Sequence, residues 1–122
     1  MSNTDSKDMD KASEAIADMI GRSKTAQAAF QEGTSQYTLQ KNRIQALEIA
    51  RAFIEREAGR SDLVPFEKSE LKTAVAPIRS LISKSEKAKG KLKPDTWQYK
   101  MLESNIAALT IALPLIVRAI DE

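Results

Sequence analysis

The chain has 122 residues, a formal net charge of +2, 42% apolar residues and 30% charged residues, and it contains neither cysteine nor histidine. These absences exclude disulfides, thiolate chemistry, zinc sites of the Cys/His type and the usual general base at neutral pH. The length fits one domain over residues 1–122, and the scarcity of aromatics favours helices over sheets.

The N-terminal residues indicate no targeting signal. The stretch 1–8 is polar and acidic, unlike a signal peptide, and Ser2 stands where N-myristoylation would need glycine. The most apolar run, from Ile106 to Ile120, is shorter than the ~20 residues that cross a bilayer. We therefore expect a cytoplasmic protein without a membrane span.

Two helices are predicted in the first half. Apolar residues recur at three- and four-residue steps from about Lys7 to Gln31, which indicates an amphipathic helix. After a turn at 32–35, Thr34 or Ser35 can cap a second helix that reaches about residue 58. Gly59 is well placed to end it. Residues 1–5 are expected to fray.

A linker at 59–65 leads to two further helices. Pro65 suits the first turn of helix three, and residues 90–94 form the next turn. Asp95 and Gln98 have the spacing of a capping box. Helix four is predicted from Thr96 to near the C-terminus.

The chain also contains a weak internal repeat. A shift of 62 residues places 6–57 on 68–119 with fifteen identities, where about four are expected from average residue usage. The sequence therefore predicts an all-α, up-down antiparallel four-helix bundle made of two tandemly duplicated αα-hairpins about a pseudo-twofold axis. The repeats are 6–58 and 68–120. The matched alanines are small enough to let helices two and four approach closely.

No pattern indicates an enzyme, a cofactor or a metal. Dimetal bundles need Glu-x-x-His pairs and inward glutamates, whereas the helical glutamates here are scattered among other charges. They are Glu14, Glu48, Glu55, Glu57, Glu70 and Glu103. No glycine-rich phosphate loop precedes a helix. We expect a small non-enzymatic interaction or regulatory protein.

The clearest difference between the repeats lies on helix four. In the first copy, Glu48, Arg51 and Glu55 share a stripe that predicts an ion-pair ladder. The predicted interface occupies the equivalent stripe of the second copy, with Ile120 in place of Ala58: Thr110, Leu113, Val117 and Ile120. One interpretation is that this stripe is covered within the chain, by the linker, by the N-terminal tail, or because helix four is central in the bundle. The other is that the stripe is exposed and binds a second copy in a homo-oligomer, or a partner helix.

The alternative function is binding of nucleic acid or another polyanion. Residues 79–93 carry a local net charge of +5, against +1 for the equivalent 17–31. The candidate residues are Lys84, Lys87, Lys89, Lys91, Lys93 and Trp97. Aromatic and basic side chains together suit phosphate backbones or bases, although a solvated loop explains the same lysines.

Two prolines also have no counterpart in the first copy. Pro77 and Pro114 fall opposite Ala15 and Ala52. Because interior proline removes a backbone hydrogen bond, we expect a bowed second hairpin or a break near Ala76. A groove opened by the bend would permit a third function, carriage of an apolar ligand.

Overall fold

The structure is a computed structural model, which describes residues 6–61 and 66–122. Its four helices are α1 (Ser6–Ala28), α2 (Ser35–Glu57), α3 (Lys68–Lys89) and α4 (Trp97–Asp121). No strand occurs in these two ranges. The predicted all-α four-helix bundle is confirmed. The expected fraying of 1–5 and the place of Pro65 lie outside the described residues, and α3 begins at Lys68.

Threonine begins both second helices of the hairpins. The Thr34 hydroxyl accepts from the Tyr37 amide at 3.2 Å, and the Thr96 hydroxyl accepts from the Tyr99 amide at 3.3 Å. The predicted cap at Thr34 is confirmed. The capping box predicted at Asp95 is wrong, because Thr96 has the extended backbone of the N-cap position (φ −85°, ψ 152°).

Gly59 ends α2 as predicted. Its φ of +78° lies in the left-handed region that favours glycine. The Gly59 amide donates to the Arg56 carbonyl and the Arg60 amide to the Glu55 carbonyl, both at 3.0 Å. This pair of bonds is a Schellman motif, which satisfies carbonyls that the end of the helix leaves without partners.

Alanines allow the two second helices to touch across the centre of the bundle. Each hairpin packs its own helices together, α1 also packs on α4, and α3 also packs on α2. In addition, α2 contacts α4 and forms the short diagonal of the bundle. The alanines of this contact are each at most 1% exposed: Ala46, Ala50, Ala108 and Ala112. The predicted close approach is confirmed.

The burial of equivalent residues agrees with the repeat. Ile16 and Ile78 are both 0% exposed, as are Ile54 and Ile116. Ile44 is buried, whereas its equivalent Ile106 is only half-buried. The duplication as the origin of the fold stays a prediction.

The interior prolines do not interrupt their helices. The helix α3 runs through Pro77 and α4 runs through Pro114. The predicted break near Ala76 is therefore wrong. Proline removes one backbone hydrogen bond, and burial of Ala74 and Ile78 on either side holds the turn in the helix. The bow and its apolar groove stay predictions.

Candidate functional site

The predicted interface residues lie along one edge of α4, 62 places after the edge of α2 that contains Arg51 and Glu55. Thr110 is exposed, and Leu113, Val117 and Ile120 are half-buried. Leu113 and Ile120 pack against the core. The stripe is therefore neither fully covered nor fully open.

The first hairpin has a polar network at the equivalent edge. The Ser13 hydroxyl, in a residue only 5% exposed, donates to Glu55 Oε1 at 2.8 Å. Arg51 Nε donates to Ser13 Oγ at 3.2 Å, and Arg60 forms ion pairs with both Glu55 and Asp10. Hydrogen bonds from Arg60 and Ser13 hold the pKa of the Glu55 carboxyl below its usual value.

The ion-pair ladder predicted along α2 is wrong in its partners. Arg51 connects to Glu55 through the Ser13 hydroxyl of the neighbouring helix, and Glu55 forms its ion pair with Arg60. Glu48 is exposed. The sequence could not reveal this, because helical spacing describes one helix and the partner Ser13 belongs to another.

Apolar residues replace this network in the second hairpin. The residues 62 places after Ser13, Arg51 and Glu55 are Val75, Leu113 and Val117. Lys89 Nζ lies 5.4 Å from the centre of the Tyr99 ring, which places the start of α4 beside the end of α3. We call Val75, Ile106, Leu113 and Val117 the α3–α4 seam.

The surroundings of the α3–α4 seam lack carboxylates. No Asp or Glu occurs in 71–85 of α3 or in 104–120 of α4. At 1.5 Å per residue these segments are roughly 22–26 Å long. Their charged residues are all basic and exposed: Lys72, Arg79, Lys84 and Arg118. The seam is thus an apolar strip with a positive rim.

Charge is segregated along the bundle axis. Both hairpin loops lie at one end of an up-down bundle, and we call residues 22–43 and 84–100 the loop end. The loop end has ten basic and three acidic residues, a net charge of +7. The rest of the described chain has nine basic and twelve acidic residues, a net charge of −3. The excess was predicted for one hairpin only, but the loop of the first hairpin, residues 22–43, adds four basic residues and one acidic residue.

Large apolar side chains are exposed at the same end. Phe30 is 40%, Leu39 is 48% and Trp97 is 68% exposed. Among the described residues, no other large hydrophobic side chain has so large an exposed fraction, so the exposed ones are concentrated at the loop end. Exposed apolar groups among basic ones are typical of an interaction surface.

The predicted lysine-rich site is only partly assembled. Lys84, Lys87, Lys91 and Lys93 are exposed, whereas Lys89 is half-buried with its ammonium over Tyr99. The lysines of the last turn of α3 also complement the helix dipole. The structure thus distributes the positive charge over the loop end.

Three polar residues that the sequence analysis overlooked face the interior. Gln40 and Arg43 of α2 are half-buried. They continue, toward the start of the helix, the three- and four-residue spacing of its buried residues Leu47, Ala50 and Ile54. On α4, Asn105 is buried at 6% exposure. Polar residues at apolar-periodic positions were the signal available in the sequence.

In length and composition, α4 could cross a bilayer, and 28% of its 18-residue apolar window is buried. The described residues contain no group of three or more acidic side chains placed to hold a metal ion. Comparison of the chain with protein-family models, curated proteins and solved structures found no match.

Proposed function

We propose that this protein is a non-enzymatic module that docks on an anionic membrane surface through its loop end. The observation that carries the proposal is the coincidence of positive charge and exposed apolar side chains at one end of the bundle. This develops the polyanion-binding alternative from the lysine-rich segment 84–93 to both loops.

Electrostatic attraction supplies the first part of the binding. Each Lys or Arg near an anionic leaflet contributes about 1 kcal/mol, and the effect falls off within a Debye length of about 8 Å at physiological salt. A compact end with a net charge of +7 brings many of these groups near the surface together. The rest of the described chain, with a net charge of −3, is not attracted, so the loop end faces the membrane and the bundle axis stands upright on it.

Apolar insertion supplies the second part. Trp97 suits the interfacial region, where its ring is apolar and its N–H reaches water or headgroups. Phe30 and Leu39 add apolar area from the other hairpin. The aliphatic Leu39 cannot stack on a base, which favours lipid over single-stranded nucleic acid as the occupant.

Vesicle co-sedimentation tests this proposal. We expect binding to mixed vesicles of phosphatidylcholine and anionic phosphatidylglycerol, and weak binding to vesicles of phosphatidylcholine alone. Lys91→Glu with Lys93→Glu should abolish most of the binding. The matched control is Lys7→Glu with Lys11→Glu, which makes the same charge change on exposed lysines at the opposite end of the bundle. This control should retain vesicle binding.

The apolar contribution has its own test. Trp97→Ser should weaken vesicle binding and remove the blue shift of tryptophan fluorescence that insertion produces. Equal binding to both kinds of vesicle, or full binding by the charge-reversed loop variant, would contradict the proposal. So would tight, salt-sensitive binding to a single-stranded oligonucleotide without vesicle binding, which would assign the loop end to nucleic acid instead.

A second candidate function is docking of an acidic amphipathic helix of a partner protein on the α3–α4 seam. The half-buried apolar strip with a basic rim and no carboxylate favours such a helix over a second copy, whose own rim is positive. The probe is an 18-residue peptide with leucines on one face and glutamates elsewhere, about 27 Å long as a helix. Its control has lysines for the glutamates.

The variant for this test carries Leu113→Arg and Val117→Glu, which gives the seam the charge types of the first hairpin. We expect the glutamate peptide to bind the wild type and not this variant, as followed by fluorescence polarisation. Equal binding by the variant would reject docking at the seam. The remaining possibility is that the seam serves self-association, and sedimentation equilibrium of the protein without peptide tests it. If the wild type is a dimer and the variant with both substitutions is a monomer, the function of the seam is self-association.

A further inference from the structure

An open cleft of about 240 Å³ lies near the loop end, where all four helices contribute to its wall. It is bordered by the C-terminal halves of α1 and α3 and the N-terminal halves of α2 and α4. Its polar residues are Arg22, Ser23, Gln40, Arg43, Ser85 and Asn105. No acidic residue lines it, and Met19, Leu47 and Leu81 are among its apolar walls.

Several of these polar groups have no partner in the described part of the chain. The Gln40 Oε1 atom is buried without a hydrogen bond. Asn105 and Ser23 are 6% and 7% exposed, and the side chains of both lack hydrogen bonds to other described residues. A buried oxygen without a donor is costly, so Gln40 Oε1, with the polar atoms of Asn105 and Ser23 open to solvent in the same cleft, points to a ligand that completes these bonds.

The cleft is also electrostatically unbalanced. Partial burial lowers the pKa of the Arg43 guanidinium, and no ion pair of Arg43 occurs within the two described ranges. Arg22, exposed at the rim, contributes a second guanidinium. Two guanidinium groups with no carboxylate between them favour an anion, and guanidinium matches the oxygens of phosphate in bidentate geometry.

Equivalent positions of the two halves line the cleft. Arg43 and Asn105 are equivalent positions 62 residues apart, and so are Ser23 and Ser85. Gln40 has Leu102 as its equivalent, which makes one side of the cleft polar and the other apolar. A ligand with a polar and an apolar side therefore binds in one orientation.

We infer that this cleft binds a small hydroxylated phosphate ester, with its phosphate on Arg43 and Arg22 and a hydroxyl donating to Gln40 Oε1. Asn105 and Ser23 supply further hydrogen bonds, and the apolar walls exclude water. The ester is either a free metabolite or the headgroup of a lipid, since both present the same phosphate and hydroxyl groups.

Calorimetry and thermal unfolding separate these sources. The probes are inorganic phosphate, glycerol 3-phosphate and phosphatidylglycerol vesicles. We expect glycerol 3-phosphate to raise Tm by several degrees when it is well above its Kd, and phosphate alone to act more weakly because it leaves Gln40 without a donor. A Tm rise with vesicles that Arg43→Gln removes and Lys41→Gln does not, together with no rise from glycerol 3-phosphate, would assign the site to a lipid headgroup.

Matched variants identify the site. Arg43→Gln should weaken glycerol 3-phosphate binding at least tenfold, the usual scale for one charge-assisted pair. Lys41→Gln, the same loss of charge at an exposed neighbour, should leave binding unchanged. Asn105→Leu should abolish the ligand-induced rise in Tm and at the same time raise the Tm of the free protein, because leucine adds apolar contact at a position only 6% exposed.

The second readout distinguishes a ligand site from a structural one. If Asn105→Leu lowers the Tm of the free protein and no probe shifts the wild-type Tm, the cleft is a structural feature and the inference is wrong. The result is independent of membrane docking, because Lys91→Glu with Lys93→Glu leaves the cleft residues intact. Loss of vesicle binding in that variant with glycerol 3-phosphate binding retained would show that the two sites act separately.

Discussion

Ser13 Oγ donates to Glu55 Oε1 at 2.8 Å and thereby joins α1 to α2 at the outer edge of the first hairpin. The same two positions of the second hairpin hold Val75 and Val117. One hairpin therefore closes its outer edge with hydrogen bonds and charges, while the other presents apolar side chains. This difference makes the second hairpin the candidate for binding a partner helix.

The hydrogen bonds on Glu55 predict an acid-sensitive contribution to stability. The pKa of Glu55 is lowered in the folded protein by Arg60 and Ser13, so its contribution is complete above the usual carboxyl pKa of about 4.5 and is lost as pH falls below it. Glu55→Gln should reduce the free energy of unfolding at pH 7 by about 0.5–1 kcal/mol, since the site is partly solvated. Urea denaturation between pH 3 and pH 7 measures the effect.

Glu48→Gln is the control for that experiment. Glu48 lies two turns earlier on the same helix and is exposed. The difference in stability between the Glu55 variant and the wild type should shrink at low pH, whereas the Glu48 variant should follow the wild type throughout. A Glu55 difference that is constant with pH would show that its hydrogen bonds do not favour the ionised form.

Two glycine substitutions should have opposite signs. Gly59→Ala forces an L-residue into a left-handed backbone with φ +78° and should cost about 1 kcal/mol. Gly21→Ala lies within α1, where an added Cβ meets no atom within 4 Å, and should stabilise the protein by up to about 1 kcal/mol. Thermal unfolding of both variants tests the pair. A stabilising Gly59→Ala would contradict the Schellman ending of α2.

The threonine caps should be of similar strength in the two hairpins. Thr34→Ala and Thr96→Ala each remove a hydroxyl that accepts an amide hydrogen bond, and each should cost about 1 kcal/mol. Thr38→Ala, one turn into α2 and exposed, is the control and should be neutral or slightly stabilising. Denaturant midpoints compare the three. If Thr96→Ala were neutral and Asp95→Ala costly, the cap would be Asp95 after all.

The diagonal contact should tolerate no added volume. Ala50 and Ala112 are 0% exposed where α2 meets α4, so Ala50→Leu should destabilise the protein by about 1–3 kcal/mol or separate the helices. Ala107→Leu makes the same change at an exposed position of α4 and should be nearly neutral. Urea denaturation and near-ultraviolet circular dichroism follow both. Equal stability of the two variants would mean that α2 and α4 do not pack closely in solution.

Local patterns were enough to predict most of the fold. The helices, the cap at Thr34 and the stop at Gly59 depend on neighbouring residues and on a 3.6-residue period, all readable along one chain. The prediction of a capping box at Asp95 failed because Asp95 and Thr96 are both suitable N-cap residues. Only the backbone angles of the structure show that Thr96 is the N-cap. The break at Ala76 failed because burial around Pro77 outweighs one lost hydrogen bond.

By itself, the sequence determined that the chain forms four helices, that Thr34 caps the second and Gly59 ends it, and that residues of the two halves match at a spacing of 62. The tertiary structure alone decided which residues from different helices meet. It brought both loops to one end and so gathered the charge of the two halves, paired Ser13 with Glu55, and enclosed Gln40, Arg43 and Asn105 in one cleft. The physical reason is that helical periodicity acts within a single helix, whereas charge clusters, polar networks and clefts arise from residues far apart in the chain.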